Sequence, residues 1–304
     1  MTTPDTSTLG SALERAAARW TDQEAFVCDG IRMAYRDLAD AARRTAAALL
    51  ARGVRKGDRV AVCMDNSAAW LTLFYANALI GAATVAVDPR LPPRALEQRL
   101  RQTGSALLVT VDRIGDAVDV IAALRTIEPA LDVALPGRVL PQLRTVVVLG
   151  YAVPRGAVGY GAFQGQAGTG VTVDRAAVAH AAAAVAPDDA ALVLDIDALS
   201  HATLLRDGAA AAKRIGIRPG DRYFSARPFH DLADVTPAIL VAFSVGACLV
   251  TMPDFDAGEA LRLMERERCT LVAGDDATAR RMMEHPSCDI GRLSLRDGWS
   301  VHGS

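Results

Sequence analysis

Acidic residues and histidines gather at four places in this chain, each just after a short strand-like run: Asp195 and Asp197, His230 and Asp231, Asp254 and Asp256, Asp275 and Asp276. In a doubly wound sheet, ligands bind outside the carboxyl ends of the strands, so these positions are candidates to line one crevice. His230 titrates near neutrality and could move protons if Asp231 or Asp197 raised its pKa. His201, just before a predicted helix, could join it, and Asp275 completes a candidate catalytic set. Carboxylates beside a histidine could also hold magnesium or manganese, which favour hard oxygen ligands. The Asp275-Asp276 pair could instead recognise an amine or guanidinium. A plainer role competes: Asp is a preferred N-cap, and Asp256 and Asp275 stand where helices should start.

Other chemistry is poorly represented. The five cysteines, Cys28, Cys63, Cys248, Cys269 and Cys288, form no C-x-x-C pair, so reduced thiols are expected rather than a disulfide or zinc framework. Cys248 and Cys269 fall in apolar strand patterns and read as inert core thiols. His180, His285 and His302 have loop or helix-surface contexts. No Gly-x-Ser-x-Gly elbow or H-E-x-x-H helix occurs, and no metal site is assigned. Only Lys56 and Lys213 are lysines, which limits lysine chemistry to two positions.

The elements that must position these residues follow from punctuation and periodicity. Phe26 to Tyr35 reads as a hairpin turning at Asp29-Gly30, since Asp-Gly tolerates the positive φ of a tight turn. A helix from about Arg36 carries Leu38, Ala42, Ala46 and Leu49 at helical spacing, and Gly53 ends it. Strands at Arg59–Cys63, Ala83–Val87 and Ala106–Thr110 then alternate with helices at Asn66–Leu79 and Pro92–Gln102, which argues a parallel sheet covered by helices. A further strand is expected at Thr145–Leu149. The Gly159–Gly170 run reads as a surface linker, followed by an alanine-rich helix through His180.

Gly53-Val-Arg-Lys-Gly-Asp-Arg-Val60 matches Gly216-Ile-Arg-Pro-Gly-Asp-Arg-Tyr223, and each leads to an uncharged helix, Gly81-Ala or Gly246-Ala, and a strand. The fold class is therefore α/β, with two related layers of mostly parallel sheet flanked by helices. The expected divisions are a first α/β subdomain over 1–150, a linker with an alanine-rich helix over 151–188 and a second α/β subdomain over 189–304. The uncharged stretches Trp70–Val87 and Val235–Pro253 are broken by Gly81 and Gly246, so buried core is expected rather than a membrane span. With a net charge of -2 and no run of five like charges, no nucleic-acid or polybasic membrane surface is indicated. No secretory signal is readable at the start, and a cytoplasmic protein is expected.

Several of these segments together resemble the acyl-adenylate-forming superfamily, specifically the N-terminal domain of AMP-dependent acyl-CoA synthetases. They are Tyr35-Arg-Asp-Leu38, the Gly53–Val60 turn, Met64-Asp-Asn-Ser67, Gly81–Pro89, Asp189–Leu194, Ser200-His201, Ile217–Arg222, Pro228-Phe-His230, Gly246-Ala247 and Ala273-Gly274. The resemblance implies the α/β layers of that domain, here without its β-barrel and its small C-terminal domain. It also implies that the region of Phe229, His230 and Gly274 holds an acyl group. Asp231, Asp275 and Asp276 depart from the apolar or small residues usual there. Asp195, Phe229, Gly274 and Asp276 are accordingly candidate substrate contacts.

The family's strand matching Ala190–Leu194 runs into a Ser/Thr/Gly-rich loop ending in Pro-Lys-Gly, whose amides and hydroxyls hold ATP phosphates. Here about nine residues are absent, leaving Asp195-Ile-Asp197. Two carboxylates about 4 to 8 Å from a polyphosphate would repel it by on the order of several kcal/mol in a partly buried site. ATP binding is thus expected to be weak or absent, and no cofactor is expected. The chain also stops at Trp299–Ser304, before the family's adenine, magnesium and ribose motifs and its C-terminal lysine. The reading favoured is a non-adenylating accessory protein that binds a small carboxylate, a carrier-bound acyl group or a partner protein, and a homo- or hetero-oligomer is expected. Two alternatives stand beside it: a rewired acid–base enzyme for cyclisation, dehydration or hydrolysis of an acyl-derived substrate, and the N-terminal half of a split ATP-dependent ligase.

Overall fold

The structure is a computed structural model that describes residues 7–165, 174–194, 197–231 and 239–296. Its elements begin with α1 (Leu9–Arg19), β1 (Glu24–Cys28), β2 (Ile31–Ala34), α2 (Tyr35–Ala51), β3 (Arg59–Cys63), α3 (Ala68–Ile80), β4 (Ala83–Val87), α4 (Pro93–Thr103) and β5 (Leu107–Val111). There follow β6 (Arg113–Ile114), β7 (Val118–Asp119), α5 (Val120–Ile127), β8 (Thr145–Leu149), β9 (Val158–Gly159), α6 (Tyr160–Phe163), α7 (Arg175–Ala183), β10 (Ala190–Leu194), β11 (Asp197–Ser200) and α8 (His201–Ile215). The remainder are β12 (Arg222–Ser225), α9 (Val241–Val245), β13 (Cys248–Thr251), α10 (Ala257–Arg266), β14 (Leu271–Ala273) and α11 (Asp276–Met283).

Two compact units form, and neither is contiguous. The first takes its described residues from Met1–Ser11, Asp40–Asp65 and Thr72–Thr203, the second from Ala12–Ala39, Asn66–Leu71 and Leu204–Ser304. The first holds a seven-stranded sheet in the order β11-β10-β4-β3-β5-β8-β9, parallel except for the β10–β11 hairpin. The second holds a five-stranded sheet, β14-β12-β13-β1-β2, parallel except for the β1–β2 hairpin. The α/β class with two mostly parallel layers is as expected, and neither sheet closes into a barrel.

Burial explains the strands. Val60 to Cys63 and all of β4 are buried, the continuous apolar signature of parallel strands covered on both faces. The first unit packs Val85, Leu108 and Val146 against Leu96, Leu100 and Ile121 of its helices. The second packs Phe224 and Val250 against Leu261, Met264 and Met282. The β1–β2 turn has Asp29 at φ 48° and Gly30 at φ 75°, the positive-φ pair that Asp-Gly predicted. No helix of the described residues is long and apolar enough to cross a membrane.

Three segments of the chain pair across the contiguous divisions expected from sequence. The glycine-rich run does not begin as a linker: β9 pairs with β8 through Val147↔Val158, and Phe163 of α6 is buried. Its remaining residues, 166–170, lie outside the described residues. The segment 190–200, expected to open the second subdomain, is instead edge structure of the first sheet, with Leu192 and Val193 paired to Thr84 and Val85. The β1–β2 hairpin, expected in the first, belongs to the second, where Phe26 to Cys28 pair with Leu249 to Thr251. Parallel pairing joins strands distant in sequence, so contiguous segmentation could not find these partners.

Candidate functional site

In the first unit the strand matched to the phosphate-loop strand turns straight back on itself. Leu194 pairs with Asp197, Val193 with Ala198 and Leu192 with Leu199, so two residues, Asp195 and Ile196, connect β10 to β11. Asp195, a candidate substrate contact, is outside the described residues. Asp197 is exposed at the start of the edge strand β11. The residues on either side of this connection are engaged in strand pairing.

His201 lies in the interior. It opens α8 but is fully buried in the first unit, not placed at an open strand end. Its Nδ1 accepts a hydrogen bond from the Leu9 amide at 3.3 Å, which places the proton on Nε2, and Nε2 is buried with no partner among the described residues. Burial pushes its pKa down to about 4, with Asp189 opposing that shift and Lys56 adding to it. A neutral interior imidazole fastens the start of α1.

The second unit carries the other candidates, at the carboxyl ends of β12, β13 and β14. After β12 the chain runs Arg227-Pro-Phe-His-Asp231. Phe229, a candidate substrate contact, is fully buried, with its ring 5.2 Å from that of Trp70 between centroids. Its amide donates to Asn66 Oδ1 at 2.7 Å. Asn66 Nδ2 donates to the Arg227 carbonyl at 2.9 Å and to Thr251 Oγ1 at 3.1 Å, and the Cys28 thiol donates to the Asn66 carbonyl. One buried amide side chain therefore fixes the loop after β12 to the end of β13. His230 is half-buried and Asp231 exposed beyond that anchor, in a turn closed by the Asp231 amide on the Pro228 carbonyl at 3.1 Å.

At the end of β14, Gly274 is buried, and a Cβ there would stand 3.3 Å from Thr278 Cγ2. Asp275 is the N-cap of α11, its Oδ1 accepting from the Thr278 amide at 2.6 Å. That amide holds its carboxyl below the usual carboxylate range against the opposing effect of burial, with help from the Thr278 hydroxyl and the Arg227 charge. Asp276 follows, exposed, in the first turn. Asp256 caps α10 in the same way, accepting from the Glu259 amide at 2.8 Å. The capping role anticipated for Asp256 and Asp275 is the one both perform, which leaves Asp275 poorly suited to take up a proton.

The candidates are thus divided. Asp197 and His201 belong to the first unit, while Phe229, His230, Asp231, Gly274, Asp275 and Asp276 belong to the second. Within the second, β12 and β14 are neighbours, registered Ser225↔Ala273, which brings the His230 loop and the Asp275 cap to adjacent strand ends. Among the described residues no group of three His, Cys, Asp or Glu side chains could hold a metal ion. Asn66 and Arg227 escaped the sequence reading. Arg227 could have been found from its place between β12 and Pro228; the anchoring role of Asn66 could not, because its side-chain partners lie more than 160 residues away.

A family model for AMP-binding enzymes matches residues 13–194, more than half of the chain. A homologue from Bacillus subtilis, YngI, named for acyl-CoA synthetase activity, is 28% identical over 96% of this chain and 55% of its own length. A methyl-dioxo-octahydro-indenyl-propanoyl:CoA ligase of Mycobacterium tuberculosis is 30% identical over 96% of this chain and 56% of its own length. The chain therefore spans little more than half the length of these relatives. Among solved structures, the anthranilate CoA ligase AuaEII in complex with anthranoyl-AMP superposes with a TM-score of 0.80 at 19% identity, over 96% of this chain and 54% of that one. The segments shared with the synthetases are thus matched by a family model, by relatives and by a common fold, and the chain belongs to the AMP-binding enzyme family.

Proposed function

We propose that this chain is a non-adenylating member of its family, which binds an acyl-type carboxylate or an acyl-bearing partner as an accessory protein and does not activate it with ATP. The observation that carries this reading is the β10–β11 hairpin. With Leu194 paired to Asp197, only Asp195 and Ile196 remain for the connection, and neither is a glycine, hydroxyl or cationic residue. A phosphate cradle needs several unpaired amides around an anion and a cation to offset its charge. This hairpin supplies neither, and Asp197 adds negative charge at its end. Acyl recognition is drawn from relatives named as CoA ligases and from the matching Pro228-Phe-His230 and Ala273-Gly274 segments.

ATP–pyrophosphate exchange on the isolated chain, across a panel of aliphatic and aromatic carboxylates, tests the proposal. Exchange at background level, together with no saturable ATP binding by calorimetry, is the expected result. Robust exchange by the chain alone would overturn it. Exchange that appears only when a separate C-terminal ligase half is added would also overturn it, in favour of a split ligase.

A further inference from the structure

Ligands of α/β sheets gather at strand carboxyl ends, yet a sizeable cavity lies at the opposite pole of the first unit's sheet. It is a groove of about 570 Å3. Its residues precede β3, β4 and β10: Lys56 lies in the turn before β3, Ile80 at the end of α3 and Ala184 just after α7. The walls are apolar, with Ala47 and Leu50 from α2 facing Ala177 and Ala181 from α7.

Small side chains explain the space. Of α7, with the sequence Arg-Ala-Ala-Val-Ala-His-Ala-Ala-Ala, only Val178 is buried, so the helix stands over α2 without filling the gap between them. It is held at both ends. Asp174 caps its start by accepting from the Ala177 amide at 2.8 Å, and Lys56 Nζ donates to the Ala184 carbonyl at 2.7 Å beyond its last turn. Lys56 also pairs with Asp189 at 2.7 Å. Burial pushes the Asp189 carboxyl up, but the Lys56 hydrogen bond and the Ala186 amide more than offset this and hold it below the usual range.

The groove is therefore electrically polar along its length. Arg55 and Lys56 stand at the α7 C-terminal end, with the Arg55 guanidinium engaged through Nη1 on the Leu50 and Val54 carbonyls. The one acid among the lining residues, Asp174, is at the other end, roughly 15 Å away by helical rise, and its carboxylate is occupied as a cap. Small-molecule sites are typically apolar clefts of about 300 to 1,000 Å3 with a few placed polar groups. An apolar trough ending at the Arg55 guanidinium, with the Lys56–Asp189 ion pair beside it, matches a hydrocarbon body bearing an anionic head.

We propose that this groove binds a free medium-chain aliphatic carboxylate, its chain lying between α2 and α7 and its carboxylate at Arg55 and Lys56. The site is separate from the strand-end region and stands whether or not the chain adenylates. Its probe is decanoate, kept below its micelle-forming concentration and titrated into the full chain carrying 13C-methyl alanine. Saturable methyl shifts are expected at Ala47, Ala177 and Ala181, with decanol and the methyl ester of decanoate binding about tenfold more weakly. Arg55→Glu should weaken decanoate about tenfold. Ala181→Trp, at a partly exposed position, should abolish binding while the thermal melt remains cooperative. Equal affinity for decanol, binding that survives Ala181→Trp, or shifts confined to methyls outside the groove would each overturn the assignment.

Discussion

The two units repeat one turn, and the repeat shows how a single wiring diagram can carry unequal weight. In the first unit Gly57 lies at φ 86°, Asp58 accepts from the Arg55 amide at 3.0 Å, and the Asp58 carbonyl receives the Ala83 amide at 2.9 Å. In the second, Gly220 lies at φ 84°, Asp221 accepts from the Arg218 amide at 2.7 Å, and the Asp221 carbonyl receives the Cys248 amide at 2.8 Å. Even the remote partner recurs: Arg144 donates to Asp58 at 3.1 Å and Arg296 to Asp221 at 3.0 Å. What differs is burial. The Asp58 side chain is 30% exposed and that of Asp221 only 8%, and Asp221 also accepts from the Thr270 hydroxyl at 2.8 Å.

That difference sets the largest expected effect. Removing a buried acceptor strands its donors away from water, whereas an exposed pair is replaced by solvent. Asp221→Ala should cost about 3 kcal/mol of stability and Asp58→Ala about 1 kcal/mol or less. Urea titrations of the two variants would measure both. Equal losses would mean that the two turns are equivalent and that burial does not decide their weight.

A second asymmetry concerns protons. Among the described histidines only His201, in the first unit, is fully buried; His230 and His285 of the second are half-buried. With a folded pKa of about 4 against 6.5 in the unfolded chain, unfolding takes up a proton throughout that interval. His201 therefore costs no stability above pH 6.5, and a penalty grows as pH falls toward 4, reaching about 3 kcal/mol. Hydrogen exchange should show first-unit peptides losing protection between pH 6.5 and 4 ahead of second-unit peptides. In His201→Phe that differential should vanish. Its persistence would assign the acid sensitivity to other groups.

A third contrast sets the two strand-end connections apart. The first unit closes its connection by strand pairing at Leu194↔Asp197; the second relies on Asn66, which accepts the Phe229 amide and donates to the Arg227 carbonyl. Asn66→Ala should cost about 2 kcal/mol, because it leaves a buried amide and a carbonyl without partners. Exchange of the Phe229 and His230 amides should quicken while β10 and β11 stay protected. Unchanged exchange after β12 would show that Trp70 packing alone holds the loop.

What was legible in the chain follows the range of the signals. Local devices were readable: the Asp29-Gly30 turn, Arg59–Cys63 as β3, Thr145–Leu149 as β8, and the capping role of Asp256 and Asp275 all depend on neighbours within a few residues. The Gly-x-x-x-Gly-Asp-Arg repeat was readable for the same reason, since each copy is closed by its own Asp. Long-range pairing was not. Nothing near Glu24 announces β13 as the partner of β1, and nothing near His201 announces the Leu9 amide, 192 residues away. Asp197 and His230 look alike as strand-end polar residues, yet they fall in different units because their strands joined different sheets.

The smallest expected effect is a control, because it is where the two copies should agree. Gly57 and Gly220 share a left-handed φ near 85°, and a Cβ added at either would meet nothing within 4 Å. With steric room equal, the cost of alanine is conformational alone, about 1 kcal/mol at each site. Gly57→Ala and Gly220→Ala should therefore shift the urea midpoint by the same amount, in contrast to the threefold disparity expected at the adjacent aspartates. A larger loss at Gly220 would mean that the second turn is sensitive throughout, and that the weight ascribed to the buried Asp221 carboxylate belongs to its backbone.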